Sequence, residues 1–173
     1  PLHLAWMGAA TSTGDKVDPL AVLEAVRRTA GRLTVFSERG RLQAPRSASP
    51  LLGLLEGMVH EATARHAGAF HPKVWLLQFA DPASPTEVKL RLLVLTRNIT
   101  DDRSWDLALQ LDGVVGKARD VLNRPLVMFF EEVLKMSHKP LTDARRANAE
   151  RLLANTWRCA WDLPGKFERV AFH

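Results

Sequence analysis

Apolar residues recur at helical spacing over residues 18–30, where Leu20, Val22, Leu23 and Val26 follow an acidic residue and Pro19, and Gly31 closes the run. The β-branched stretch Leu33-Thr34-Val35-Phe36 predicts a short buried strand, and a loop rich in Arg, Ser and Pro follows over 39–49. Ser49-Pro50 opens a second helical pattern that carries Leu51, Leu54, Leu55, Met58 and Val59 on one side and ends by Gly68. Val74-Trp75-Leu76-Leu77-Gln78-Phe79 and Leu90-Arg91-Leu92-Leu93-Val94-Leu95 predict two strands, separated by the turn cluster Asp81-Pro82-Ala83-Ser84-Pro85. From Trp105 to Leu111 the pattern alternates, with Leu107, Leu109 and Leu111 set against Asp106, Ala108 and Gln110. That period of two predicts another strand, with the leucines toward the core. Beyond Gly116 the spacing returns to threes and fours over 125–136 and 142–154, and Arg145, Arg146 and Arg151 are expected on the solvated face of the last helix. Helix, then strands, then helices predict an α/β fold with a mixed central β-sheet flanked by helices.

Composition narrows the class. The 173 residues are 46% hydrophobic and 25% charged, enough for a sizeable core and unlike a disordered chain. The formal net charge of +5 favours polyanionic partners, nucleic acid first. A single cysteine, Cys159, excludes an internal disulfide. The sequence shows no secretory leader and no apolar run near the roughly 18–20 residues that span a bilayer, so a cytoplasmic protein without stable membrane insertion is expected. The chain opens on Pro1 and closes in the apolar Val170-Ala171-Phe172, which reads as a piece of a longer protein.

Candidate chemistry lies in the middle of the chain. His71 and Lys73 stand two apart at the start of a strand, so an imidazole and an ammonium project to the same side. The next strand ends in Leu95-Thr96-Arg97-Asn98-Ile99-Thr100, and Ser104-Trp105-Asp106 opens the one after. An imidazole can attack phosphorus and form a covalent intermediate. Lys73 and Asn98 can donate to non-bridging phosphate oxygens. Asp106 can accept from the second imidazole nitrogen and fix the tautomer. Such a constellation needs neither metal nor cofactor. His60 and His66, with Glu61 between them, lie six apart and on different helical faces, which argues against a metal site. Trp75, Trp157 and Trp161 read as packing residues, and Arg39, Arg41 and Arg46 as a basic loop.

His-x-Lys at a strand start, a strand ending in Thr96-Arg97-Asn98, and a following acid together resemble the half-motif of the phospholipase D superfamily. His71-Pro72-Lys73-Val74-Trp75-Leu76-Leu77 with Thr96-Arg97-Asn98-Ile99-Thr100 and Trp105-Asp106 is most similar to the branch that contains tyrosyl-DNA phosphodiesterase, and to bacterial phospholipase D-like proteins. The chain departs from the pattern in having Leu95-Thr96 for Gly-Ser, Asp106 for the commoner Glu, and a longer gap between Lys73 and Asn98. The resemblance implies a phospholipase D-like half-domain over 1–166, with 167–173 the opening of a second half. It implies His71, Lys73, Asn98 and Asp106 as catalytic residues, with Thr96 and Arg97 against the substrate. The implied activity is metal-independent phosphodiester hydrolysis on nucleic acid or a nucleic-acid adduct through a phosphohistidine. No second His-x-Lys occurs: His3, His60, His66 and His138 are followed two residues on by Ala, Ala, Gly and Pro. A second half-domain in the same protein or a homodimer would supply it. A phospholipid headgroup hydrolase or transferase, and an inactive nucleic-acid-binding scaffold, are the alternative readings.

Overall fold

The computed structural model describes residues 19–42, 53, 55–81, 84–97, 105–165 and 167–173. The fold is mixed α/β. The described strands fall into two sheets rather than a single mixed one: a two-stranded parallel sheet and a four-stranded antiparallel sheet. The chain forms two compact units, Pro1–Phe70 with Met136–Arg145, and His71–Lys135 with Arg146–His173.

In the first unit, helix α1 (Pro19–Arg32) precedes strand β1 (Val35–Glu38), which pairs in parallel with β2 (Val59–Ala62). The helical reading that continued past Val59 is corrected here. Gly53, Leu55 and Glu56 are helical, but the chain turns at Gly57 and Met58 and enters β2. Met58 O accepts from Val35 N at 2.8 Å, the first link between the two strands. A parallel pair requires a crossover connection, and the short helical stretch belongs to it. Leu55 and Met58 still point inward, but onto Val26 and Ala30 of α1, with Leu33, Val35 and Val59 packed around them. Arg145 is also not where periodicity put it. It is half-buried, donating to Leu33 O, to Ala30 O at 2.8 Å and to Thr34 Oγ1 at 3.4 Å. A guanidinium there satisfies carbonyls at the C-terminal end of α1, where positive charge is favoured.

The second unit is built on β3 (Val74–Asp81), β4 (Ser84–Leu95), β5 (Ala108–Val115) and β6 (Cys159–Asp162), paired antiparallel in that order. Sequence patterning missed β6, whose four residues directly follow a helix. Leu92 and Leu111 meet Leu126 and Phe130 of helix α2 (Arg124–Lys135) on one face, joined by Val74, Leu76, Trp161, Val170 and Phe172. Val170 and Phe172 therefore belong to this core, and residues 167–173 form no strand. Helix α3 (Asp143–Thr156) leads into β6, and Asn155 near its end donates to Gln78 Oε1 at 2.8 Å. The buried Asn123 side chain is fully engaged, donating to Cys159 O and accepting from Trp161 Nε1, each at 2.8 Å. Burial pushes the Cys159 thiol up to about 12, with Asp162 adding to the shift, so this sulfur stays protonated. No helix among the described residues is long and apolar enough to cross a membrane.

Candidate functional site

The candidate site lies at the end of the antiparallel sheet where β3 begins, β4 ends and β5 begins. Val74 pairs with Val94, and continuing that register by three residues sets His71 opposite Arg97. Leu95 pairs with Ala108, and continuing by two sets Arg97 opposite Asp106. His71, Arg97 and Asp106 thus share one row across three chain segments, with Lys73, Leu95 and Ala108 in the row behind. Hydrogen bonds just past the strand ends hold this arrangement. Leu95 N donates to Lys73 O at 2.8 Å, and Thr96 N donates to Leu107 O at 3.1 Å.

His71 and Lys73 meet as the two-residue spacing predicts. Lys73 Nζ lies 2.9 Å from His71 Nδ1, 3.0 Å from Nε2 and 3.3 Å from the His71 carbonyl oxygen. A neutral imidazole accepts at one nitrogen only. One of the two ring contacts is therefore a hydrogen bond and the other a close approach, according to the tautomer. His71 is exposed and Lys73 half-buried, so the aliphatic stem is held against the sheet while the amine reaches the open ring.

Asp106 has a different partner from the one expected. Its Oδ1 accepts a short hydrogen bond from Thr96 Oγ1, and among the described residues it makes no hydrogen bond to His71. The same threonine oxygen accepts from Leu107 N at 3.0 Å. A hydroxyl has one proton and two lone pairs, so Thr96 spends its proton on Asp106 and one lone pair on the backbone. In this structure Thr96 is a clamp that fixes the start of the third segment, not a donor free for substrate. Arg97, half-buried, follows it directly. Asn98 lies outside the described residues.

Around this row the core face runs out of cover. Along β5 and the residues before it, exposure of the alternating apolar side chains falls from 99% at Trp105 through 76% at Leu107 and 46% at Leu109 to 2% at Leu111. The expectation that Leu107 and Leu109 face a closed core is therefore corrected: α2 and the C-terminal residues cover the sheet only from Leu111 onward. Trp105 is the site neighbour that alternation concealed, because a tryptophan in phase with three leucines reads as one more core residue.

The two histidines rejected as metal ligands sit in the first unit. His60 lies in β2 with its ring 5.9 Å from that of Phe36, its Nε2 buried without a partner. Burial, and secondarily the Arg145 charge, hold it below the usual histidine range. His66 occupies a left-handed position (φ 55°) in the turn Arg65–Ala67. Among the described residues no three His, Cys, Asp or Glu side chains are grouped so that they could hold a metal ion.

No protein-family model matches this chain, and no curated protein or solved structure is significantly similar to it.

Proposed function

We propose that this chain provides one half-site of a phospholipase D-like, metal-independent phosphodiesterase acting on nucleic acid or a nucleic-acid adduct. The observation that carries the reading is the contact between Lys73 Nζ and the exposed His71 imidazole at an open sheet end, with Arg97 and the Thr96-clamped Asp106 in the adjoining segments. On this reading an entering phosphodiester draws the Lys73 ammonium from the imidazole onto a non-bridging oxygen, which frees a ring nitrogen for attack. A nitrogen–phosphorus bond forms as the bond to the leaving oxygen breaks. Lys73 and Arg97 offset the charge gathering on the equatorial oxygens. The leaving oxygen takes its proton from a second half-site, in a partner copy or another segment of the protein, and water then cleaves the phosphohistidine.

The test uses the chain with labelled single-stranded DNA and bis(p-nitrophenyl) phosphate in excess chelator. The expected result is turnover, or an acid-labile, base-stable phosphoryl label on the chain, that His71→Ala abolishes and Lys73→Met lowers by at least about 100-fold. Turnover that survives His71→Ala overturns the proposal. DNA binding with neither turnover nor label marks a scaffold, and cleavage of phosphatidylcholine vesicles but not DNA marks a lipid enzyme; either result also refutes it.

A further inference from the structure

We propose that Trp105 is a stacking platform for an unpaired base next to the scissile phosphate, which makes the substrate of this half-site single-stranded; the inference rests on the nucleic-acid reading above. Trp105 is 99% exposed, the most exposed of the large apolar side chains among the described residues. Leaving so large a ring in water forfeits the burial that usually places tryptophan in cores and interfaces. Its position is not that of a loose tail. The backbone one and two residues later is fixed from both sides by Thr96, through the bond to Asp106, the 3.0 Å bond from Leu107 N and the 3.1 Å bond to Leu107 O. The indole therefore sits on an anchored segment, one residue from Asp106 and in the row beside Arg97 and His71.

The chemistry of the surroundings selects the occupant. An aromatic face beside Lys73 and Arg97, in a chain of net charge +5, suits a ligand that is flat and apolar at one end and anionic at the other. A nucleotide of a single strand meets both demands, because its base is free to stack while its phosphate takes the cations. Bases in a duplex are already stacked on their neighbours and offer no face. A second copy of this chain, itself of net charge +5, has a less favourable encounter at this basic end.

The experiment measures binding of a fluorescent 20-nucleotide single strand, and of the matching duplex, to the full chain and to Trp105→Ala, Trp105→Leu and Trp105→Phe. Because the side chain is exposed, all three variants should retain the wild-type melting temperature. The expected result is a loss of about 5- to 150-fold in single-strand affinity for Trp105→Ala. Trp105→Leu, apolar but without a π face, should be about as weak, and Trp105→Phe should recover most of the affinity. Wild-type chain should also prefer the single strand to the duplex. Single-strand binding by Trp105→Ala within twofold of wild type, or full recovery by Trp105→Leu, overturns the inference and leaves the His71 reading standing. A wild-type chain that binds no single strand removes both. A wild-type dimer that Trp105→Ala converts to monomer, with DNA binding unchanged, shows instead that a second copy covers the ring and also refutes the proposal.

Discussion

Gly113 is the position where the packing of the second unit can be tested most sharply. It pairs with Leu90 on one side and Trp161 on the other, in the middle of the ladder. A Cβ built there would lie 2.5 Å from Ala160 O and 2.6 Å from Cys159 Sγ. Unbonded carbons normally keep about 3.5–4.0 Å from their neighbours, so Gly113→Ala is short by about 1 Å on two sides at once. Neither neighbour can yield alone, since Ala160 O is backbone within the β5–β6 pairing and Cys159 is fully buried. The cheapest relief is to displace β6, an edge strand held by four pairs, and with it Trp161 and its bond to Asn123. Overpacking of this kind costs about 1–3 kcal/mol. With a urea slope of about 2 kcal/mol/M, the midpoint should fall by about 0.5–1.5 M. Tryptophan fluorescence is a suitable probe, because Trp75, Trp105, Trp157 and Trp161 all belong to this unit. Repeating the substitution in a Cys159→Ala background removes one clash and keeps the other, so the penalty should shrink without vanishing. A midpoint within 0.2 M of wild type, about 0.4 kcal/mol on that slope, would show that β6 does not press on Gly113.

The first unit gives two more tests. His60 is held neutral by burial and by Arg145, so the unfolded chain takes up a proton more readily than the folded one. Stability should be complete above the ordinary histidine value of 6.5 and decline as pH falls below it, and His60→Phe, packed against Phe36, should flatten that decline in urea titrations at pH 7.5 and 5.5; an unchanged slope refutes the assignment. Arg145→Met should cost about 1–3 kcal/mol by leaving part-buried carbonyls at the end of α1 unmet. Arg145→Lys should recover less than half of that loss, since one ammonium cannot reproduce the fork; full recovery by lysine would mean that charge alone matters.

What could be read from the sequence follows from the range of the forces involved. The helices α1, α2 and α3 and the strands β3 and β4 announce themselves because their apolar spacing is local and long enough to exclude the other period. β2 does not, since Leu55, Met58 and Val59 fit a helical stripe as well as a turn into a strand, and pairing with Val35 decides between them. Arg145 likewise follows the surface pattern of its own helix, while the carbonyls it satisfies lie more than a hundred residues earlier. The site divides in the same way. His71 and Lys73 meet because a two-residue step on an extended chain brings them together. The link between Thr96 and Asp106 crosses from one strand end to the next segment, and no local rule anticipates it.

That link changes what the acid does in the proposed chemistry. If Asp106 accepted from the imidazole, its removal would cost the tautomer of His71. Here the carboxylate is taken by Thr96 and the imidazole by Lys73, so the two polar pairs are separate and the register alone sets them side by side. Asp106 then acts on position: with Thr96 it fixes the backbone that carries Trp105 and holds that segment against the end of β4. The same anchoring accounts for the graded exposure along β5. A strand end needed only for the sheet would bury Leu107 and Leu109 or fray, whereas this one is tied down by side-chain bonds in the absence of a hydrophobic cover. The polar clamp does at the site end what Leu111 does further along, and it leaves an apolar surface standing open beside a nucleophile and two cations.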